Sequence, residues 1–246
     1  MKAVLLGATR GMGRALARRM AERGDALVLL GRDPADLESS AKDLEIRLGD
    51  RRGVDTAACD LLDRASFAPA LDRATELLGG LDAVIVTAGA FGTQEQLERD
   101  PELLERVLLT NYANTVQFCE EARRRLLESG GGRLCVFSSV AGERARKTVY
   151  LYGSTKAALS YYLEGVDHRY RDAGLVTICV KPGFVRTSMT AGLDPPPFTG
   201  EPDAVAARVL RAIDRGTPVV YAPGIWRWIM LVIRWLPRAL MRRVGF

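Results

Sequence analysis

The stretch KAVLLGATRGMGRAL, residues 2–16, decides the fold class, because a short apolar run leads through a glycine-rich turn into a helical pattern. The run predicts a strand, and Gly7, Gly11 and Gly13 allow the backbone to turn tightly and to approach a pyrophosphate. The N-terminus of the helix that follows offers N–H groups and a favourable dipole to such a phosphate. The spacing is G-x-x-x-G-x-G, and a lone glycine turn can also be a simple connection between strand and helix.

Strand-like and helical patterns alternate along the whole chain. Helical spacing occurs in segments such as 11–22, 63–78, 101–128 and 150–172. Between them lie seven continuous apolar runs, which are typical of parallel strands covered on both faces: KAVLL, ALVLL, VDTAAC, LDAVIVT, RLCVFS, LVTICV and PVVYA. The pattern predicts an α/β fold, with a single Rossmann-type, doubly wound sheet of seven parallel strands and helices on both faces, in one domain spanning 1–246.

Composition excludes several other classes of protein. The chain of 246 residues has 48% hydrophobic and 26% charged residues and a net charge of +5. This mild basic excess argues against nucleic-acid binding and favours an acidic or phosphorylated ligand. A lone His168 in a charged stretch argues against a metal site, and the short N-terminal apolar run argues against a signal peptide, so a cytoplasmic protein is expected. The cysteines lie in apolar stretches without C-x-x-C pairing and are interpreted as buried reduced thiols: Cys59, Cys119, Cys135 and Cys179.

The end of the second predicted strand bears on the choice of dinucleotide. A carboxylate roughly 20 residues beyond the glycines would accept hydrogen bonds from the ribose 2′-OH of NAD. Gly31 stands at that point, followed by Arg32, and Arg10 lies in the glycine loop. Two guanidinium groups favour the 2′-phosphate of NADP, and the less favoured alternative is that both arginines are solvated surface residues. NADP(H) is therefore the preferred prediction, with NAD(H) as the alternative.

The stretch SSVAGERARKTVYLYGSTK, residues 138–156, carries the candidate chemistry. Tyr152 and Lys156 stand four residues apart in a helical pattern, so their side chains share a face. A nearby ammonium would favour the phenolate and bring the pKa of tyrosine down from about 10. Ser139, at the end of a strand, could hydrogen-bond a substrate carbonyl. The three residues predict a hydride-transfer site, although Y-x-x-x-K alone is common on helices.

In combination these features resemble the short-chain dehydrogenase/reductase family over nearly the whole chain. The departures are Leu6, where the family often has Thr or Ser, and Thr87, where it has the Asn of N-A-G. The resemblance implies an NAD(P)-dependent enzyme that acts on CH–OH or C=O groups. The matching motifs appear in order: the glycines at 7–13, Asp60-Leu61, TAG at 87–89, Asn111, Ser139, Tyr152 with Lys156, and KPGFVRT at 181–187.

The resemblance also implies a role for each matching position. The catalytic set would be Asn111, Ser139, Tyr152 and Lys156, with Asn111 holding a water in a proton relay through Lys156; Asn114 is off the expected spacing. Asp60 would lie near the adenine, and the segment 182–187 would border the nicotinamide. The cofactor-binding residues would be Gly7, Thr9, Arg10, Gly11, Met12, Gly13, Arg32, Asp60, Leu61, Ala88, Gly89, Tyr152, Lys156, Pro182, Gly183, Val185 and Thr187.

Two segments bear on the substrate. The loop 188–200 is expected to cover the substrate, and 225–243 is expected to form an amphipathic helical tail rich in tryptophan and arginine. Such a tail can lie in a membrane interface or cover a lipid-like substrate, but it can also be a packing helix or a subunit interface. The second half of the chain is similar to the reductase group that acts on decaprenylphosphoryl-2-keto-ribose, which would place Arg144, Arg146 and Lys147 towards the lipid phosphate.

Three functions stay open at this stage. The first is a reductase of a ketone on a lipid-linked keto-sugar or other amphiphile, and the second is a reductase of a 3-oxoacyl-type or small soluble ketone. The third is a non-catalytic NADP-binding regulator, against which the intact catalytic set argues. A homodimer or homotetramer built on the helices 101–128 and 150–172 is expected. Association with the cytoplasmic face of a membrane through the tail is a further expectation.

Overall fold

A computed structural model describes residues 1–48 and 53–243. The strands pair side by side in the order β3-β2-β1-β4-β5-β6-β7, and every pairing is parallel. The predicted fold class is therefore confirmed. The strands are β1 (Lys2–Leu6), β2 (Ala26–Gly31), β3 (Asp55–Ala58), β4 (Ala83–Val86), β5 (Gly132–Phe137), β6 (Leu175–Pro182) and β7 (Val219–Ala222).

Helices connect the strands and cover both faces of the sheet. The segment 101–128, predicted as one helix, is interrupted by a π-helical turn, Leu109–Ala113, which holds Asn111 in a buried position. The helices are α1 (Gly11–Arg23), α2 (Pro34–Leu48), α3 (Phe67–Leu78), α4 (Gln94–Arg99), α5 (Pro101–Leu108), α6 (Asn114–Glu128), α7 (Tyr150–Tyr170), α8 (Pro202–Arg215), α9 (Trp226–Trp235) and α10 (Arg238–Met241).

Burial on both faces explains why the strands are continuously apolar. On one face, α1, α2 and α8 pack against the sheet through side chains that include Leu16, Leu44 and Val209. On the other face, α3, α6 and α7 contribute Leu71, Phe118 and Leu163, among others. A polar residue in a central strand would have to be desolvated on either face, so the sequence tolerates few of them there. All four cysteines are buried free thiols, as predicted.

The carboxyl edge of the sheet brings distant loops together. Leu6 at the end of β1 pairs with Val86 at the end of β4, and Val86 pairs with Val136 of β5. The glycine loop, the segment 87–90 and Ser139 therefore emerge next to each other. Between β1 and β4 the strand order reverses direction, which is where doubly wound sheets bind their ligands.

The tail folds back onto the segment that follows Ser139. Met230 and Ile233 of α9 are buried against Val140 in a small third cluster. Arg144 donates a hydrogen bond to the carbonyl oxygen of Leu236 at 2.7 Å, which adds a polar contact between the two segments. Within the described ranges, none of the helices combines the length and the apolar character needed to cross a bilayer.

Candidate active site

A cleft of about 520 Å³ lies at the point where the strand order reverses. Most of the residues predicted to bind the cofactor line it: Gly7, Thr9, Arg10, Gly11, Met12, Gly13, Arg32, Asp60, Leu61, Ala88, Gly89 and Thr187. Pro182, Gly183 and Val185 are not part of this lining, and neither are the four predicted catalytic residues, although Tyr152 contacts Phe91 and Lys156 lies next to Gly89, both of which line the cleft. The structure thus separates a dinucleotide-sized cleft from the group of residues expected to do chemistry.

The glycine loop fits the pyrophosphate of a dinucleotide. Gly7 has a φ of +92°, and a Cβ at this position would lie 2.5 Å from the backbone nitrogen of Ala88. A Cβ on Gly13 would lie 2.3 Å from the Oγ1 of Thr87, so a larger residue would displace the turn. The side chain of Arg10, the N-cap residue of α1, makes no capping hydrogen bond, so the N–H groups of the first turn remain suited to an anion.

Thr87, a departure from the family pattern, ties the glycine loop to the sheet. Its hydroxyl donates to the carbonyl oxygen of Gly7 at 2.9 Å, with the carbonyl oxygen of Leu6 at 3.2 Å. A short hydroxyl in this crowded position therefore connects β4 directly to the loop. The substitution preserves a structural link in the cleft.

Asn114 holds the segment expected near the adenine. Its Nδ2 donates to the carbonyl oxygen of Leu61 at 2.6 Å, and its Oδ1 accepts from the Nε of Arg64 at 2.8 Å. This buried amide thus fixes the position of Leu61, whereas the side chain of Asn111 hydrogen-bonds Ala90. The sequence signal was available, since an asparagine in the apolar pattern of a helix must satisfy its polar atoms inside the protein.

Carboxylates accompany the two arginines predicted to recognise a 2′-phosphate. Arg10 and Arg32 both line the cleft, together with Asp33 and Asp36. The guanidinium of Arg10 lies 2.8 Å from a carboxylate oxygen of Asp36. Asp33 accepts hydrogen bonds from backbone N–H groups at the start of α2, so its carboxylate has a structural role. The sequence interpretation overlooked Asp36, whose charge offsets part of the positive charge of Arg10.

Ser139 and Lys156 meet at the end of β5. The Nζ of Lys156 donates to the carbonyl oxygen of Phe137 at 3.0 Å, and the side chain is only 4% exposed. The Oγ of Ser139 accepts from the backbone nitrogen of Ala141 at 3.1 Å and donates to the carbonyl oxygen of Pro182 at 3.4 Å. These contacts give the serine and the lysine defined positions beside the tyrosine.

Tyr152 links this group to the cleft. Its ring centroid lies 5.7 Å from the Nζ of Lys156 and 5.2 Å from the ring of Phe91, which it meets edge to face. Phe91 is itself part of the cleft wall. The sequence interpretation missed Phe91, although an aromatic residue two positions after TAG is a recognisable signal.

Asn111, the fourth predicted catalytic residue, is held by hydrogen bonds to the backbone of Ala90. Its side-chain amide forms two hydrogen bonds with Ala90, one to the carbonyl oxygen and one from the N–H, each of 2.8 Å. A Cβ built on Gly89 would lie 3.1 Å from the Oδ1 of Asn111 and 3.7 Å from the Nζ of Lys156. The amide and the ammonium therefore both lie close to Gly89 in the cleft lining, and the predicted relay between them stays a prediction.

Burial sets the ionisation of the two proton-carrying residues. Burial raises the pKa of Tyr152 to about 12, partly opposed by the hydrogen bond with Ser139. Burial lowers the pKa of Lys156 to about 8. The expected lowering of the tyrosine pKa by Lys156 is not what this structure shows, because desolvation outweighs an ammonium that itself loses charge when buried.

Trp226 contacts both Gly183, in the segment 182–187 expected to border the nicotinamide, and loop 188–200. A Cβ on Gly183 would lie 2.0 Å from the Nε1 of Trp226, so the indole packs directly on that glycine. The same Nε1 donates to the carbonyl oxygen of Phe198 at 3.4 Å. Trp226 therefore contacts loop 188–200 from within the fold, and it differs in this from Trp228 and Trp235.

Comparisons with known proteins agree with this geometry. A family model described as short chain dehydrogenase matches residues 1–196. An uncharacterized oxidoreductase from Mycobacterium tuberculosis is 32% identical over 241 residues, which cover 98% of this chain and 96% of that protein. Another, from Streptomyces coelicolor, is 36% identical over 242 residues, which cover 98% of this chain and 94% of that protein.

A solved structure extends the agreement to three dimensions. The short-chain dehydrogenase from Sphingobium yanoikuyae in complex with NADPH has a TM-score of 0.81 and 26% sequence identity. The match covers 96% of this chain and 97% of that one. The motif order, the cleft and these similarities lead to one conclusion: the chain belongs to the short-chain dehydrogenase family and is an NAD(P)-dependent oxidoreductase.

Proposed function

We propose that the protein uses NADPH to reduce a ketone carried by an amphiphilic molecule, and that a lipid-linked keto-sugar is the substrate class. One observation carries the reductase part of the proposal: Ser139, Tyr152 and Lys156 gather beside a cleft whose glycine loop fits a pyrophosphate. Serine, tyrosine and lysine in this arrangement suit the transfer of a hydride to a carbonyl carbon and of a proton to its oxygen.

The protein's own residues polarise the carbonyl group and donate the proton. When bound, the nicotinamide dinucleotide supplies the hydride. The hydroxyl of Ser139 donates a hydrogen bond to the ketone oxygen and withdraws electron density from the carbonyl carbon. Tyr152 then donates its phenolic proton to that oxygen, and Lys156 lies close enough to support the return of a proton through the site.

The raised pKa of Tyr152 keeps on the phenol the proton that a reduction requires. With a pKa of about 12, the phenol is protonated at neutral pH and ready to act as an acid. With a pKa of about 8, Lys156 is present in both protonation states near neutrality, which suits a group that passes protons on. An alcohol oxidation would instead need the phenolate, which this burial disfavours.

The amphiphilic character of the substrate is supported by the apolar surroundings of the predicted substrate loop. Met189 lines the cleft and is exposed, and Phe198 is exposed beside Trp226. These side chains offer an apolar path to a ketone attached to a chain. The keto-sugar rests on the similarity of the second half of the sequence to the decaprenylphosphoryl-2-keto-ribose reductase group.

The substrate class is tested by comparing two ketones with purified enzyme and NADPH. A polyprenyl-phosphate keto-sugar should be reduced with a kcat/KM at least about tenfold above that of a water-soluble ketone without the chain, because burying the chain contributes binding energy. NADPH oxidation and product mass are measured together. Equal values for both ketones, or reduction of a 3-oxoacyl thioester alone, would contradict the lipid-linked substrate.

The choice of NADPH is tested on the two arginines of the cleft. Changing Arg10→Ala and Arg32→Ala together removes two charge-assisted contacts, each worth about 1.5–3 kcal/mol, so the affinity for NADPH should fall at least about a hundredfold. NADH should bind nearly as before. Calorimetry with both cofactors gives the affinities, and Arg99→Ala, outside the cleft, is the control. A wild-type protein that prefers NADH would refute the assignment.

A further inference from the structure

The outer side of α9 is an apolar ridge in contact with solvent. Trp228 is 61% exposed and Trp235 is 82% exposed, and Leu231 and Val232 lie exposed between them at helical spacing. The opposite side of the same helix is buried through Met230 and Ile233. Because the inner side already anchors the helix, the ridge is not needed for packing within this chain.

A basic pocket of about 390 Å³ adjoins this ridge. Of the eight described residues that line it, five carry a positive charge and none carries a negative one: Arg144, Ala145, Arg146, Lys147, Tyr150, Arg238, Met241 and Arg242. The hydrogen bond from Arg144 to Leu236, next to the last residue of α9, makes the pocket continuous with the ridge. Apolar and cationic groups therefore form one surface, which we call the tail surface: Trp228, Leu231, Val232, Trp235 and the pocket.

Few acids balance this positive charge. The sequence contains no Asp or Glu after Asp214. Glu143 is buried between Lys181 and Arg234, so its charge is already neutralised. Glu98 borders the pocket, where it accepts a hydrogen bond from Tyr150 at 3.0 Å. Among the described residues, this one carboxylate faces the cations Arg144, Lys147, Arg238 and Arg242, so the tail surface is positive.

We propose that the tail surface docks the protein on a bilayer that contains anionic lipid. Tryptophan side chains favour the interface between water and acyl chains, and the aliphatic residues between them would enter the acyl boundary. The cationic pocket would bind lipid phosphate, and each basic residue near an anionic leaflet adds attraction. The inference rests on the surface and does not depend on which ketone is reduced.

Charge also distinguishes between two candidate occupants of the tail surface, a bilayer and a second copy of this chain. A two-fold contact between two tail surfaces would bring like charges together, because an isologous interface places the same patch on both sides. An anionic leaflet instead offers the opposite charge over the whole area. A lipid surface is therefore the occupant that the charges favour.

Docking in this way would place loop 188–200, which is expected to cover the substrate, at the membrane. Trp226, the first residue of α9, contacts Gly183 and the carbonyl oxygen of Phe198. The docked helix and loop 188–200 are thus joined at one point. This consequence rests on the proposed function, since it provides a path by which a lipid-linked ketone reaches the cleft from the bilayer.

The test uses the full chain and sedimentation with vesicles. Wild-type protein should sediment with phosphatidylglycerol-containing vesicles and remain largely in solution with pure phosphatidylcholine. The double variant Trp228→Ser with Trp235→Ser, and separately Arg238→Ala with Arg242→Ala, should each lower the partition coefficient by about tenfold or more. Raising the salt concentration should weaken binding further in the tryptophan variant, which retains only the electrostatic part.

Matched controls distinguish docking from a general loss of apolar or basic surface. Ile46→Ser removes an exposed apolar side chain on α2, and Arg169→Ala with Arg215→Ala removes two exposed cations elsewhere. Both control proteins should bind vesicles like the wild type, and circular dichroism should show that all variants are folded. Wild-type protein that stays in the supernatant, or controls that lose as much binding, would overturn the proposal. So would tryptophan variants that change only the oligomeric state measured by light scattering without lipid.

Discussion

Desolvation and local hydrogen bonds decide what the catalytic side chains can do. Lys156 is nearly inaccessible, and its ammonium donates to the carbonyl oxygen of Phe137. This contact orients the lysine but does not replace the water it loses, so its pKa falls to about 8. Tyr152 lies 5.7 Å away from this ammonium and keeps its proton. In the proposed reaction we therefore expect the tyrosine to donate the proton.

We expect Tyr152→Phe to lose turnover while retaining the cofactor. The change removes the phenolic proton but leaves the ring that contacts Phe91, so kcat should fall on the order of 10³-fold with little change in NADPH affinity. Steady-state kinetics and calorimetry measure the two quantities. Tyr161→Phe, at an exposed tyrosine of the same helix, should behave like the wild type. Near-normal turnover in Tyr152→Phe would show that another group supplies the proton.

The buried ammonium of Lys156 should make stability depend on pH. Between the folded pKa of about 8 and the ordinary value of 10.5, the unfolded chain holds a proton that the folded chain has released. The free energy of unfolding therefore rises with pH in this window, by up to about 3 kcal/mol, and the contribution is constant at lower pH.

Lys156→Met isolates this effect, because other titrating groups are common to both proteins and cancel in the difference. Urea unfolding from about pH 7.5 to about pH 10 should show the wild type gaining stability relative to the variant as pH rises. The lost hydrogen bond to Phe137 shifts the difference by a constant amount only. A difference that does not change with pH would mean that the lysine is hydrated in the folded protein.

The helix α9 has two apolar sides with different roles. Met230 is fully buried and Ile233 nearly so, whereas Leu231 and Val232 between them are exposed. The expectation of a packing helix and that of an exposed amphipathic helix therefore describe opposite sides of one element. The inner side covers Val140, directly after Ser139, so the tail supports the catalytic segment.

We expect Met230→Ala to destabilise the protein by about 2–4 kcal/mol, since it removes a buried side chain and leaves a cavity under α9. Leu231→Ala, at the next position but exposed, should cost less than about 1 kcal/mol. Urea or thermal unfolding of both variants gives the comparison. Equal losses would indicate that the inner side of α9 is not part of a cooperative core.

The assembly of the whole molecule depends on the helices between 101 and 170. Leu108 and Tyr112 are exposed along this region, and Tyr161 of α7 is 82% exposed. Aromatic and aliphatic side chains in such positions favour contact with a second copy. The homodimer or homotetramer predicted from the sequence stays a prediction.

Light scattering at micromolar concentration should therefore report a mass at least twice the 26.9 kDa of the chain. Tyr161→Arg should shift the distribution towards the monomer, because it places a charge in the proposed contact. Ile46→Arg, at an equally exposed residue of α2, is the matched control and should leave the mass unchanged. A wild-type monomer would refute the assembly.

The sequence by itself determined the order of the elements and the candidate catalytic motif. Continuous apolar runs specify buried parallel strands, and the glycines at 7–13 specify a turn that only small residues can form. Tyr152 and Lys156 could be paired because helical spacing alone places them on one face. These are properties of short segments, so neighbouring residues in the chain are sufficient to predict them.

Only the tertiary structure decided the contacts between segments distant in the chain. The bond from Asn114 to Leu61 and the pairing of Arg10 with Asp36 each join separate elements. The same holds for Trp226, which packs on Gly183, whereas Trp235 nine residues later faces solvent. Which side of a helix is buried, and which amide satisfies a buried carbonyl, depends on the surface that packs against it. That surface exists only once the sheet has assembled, and it also sets the pKa values of Tyr152 and Lys156.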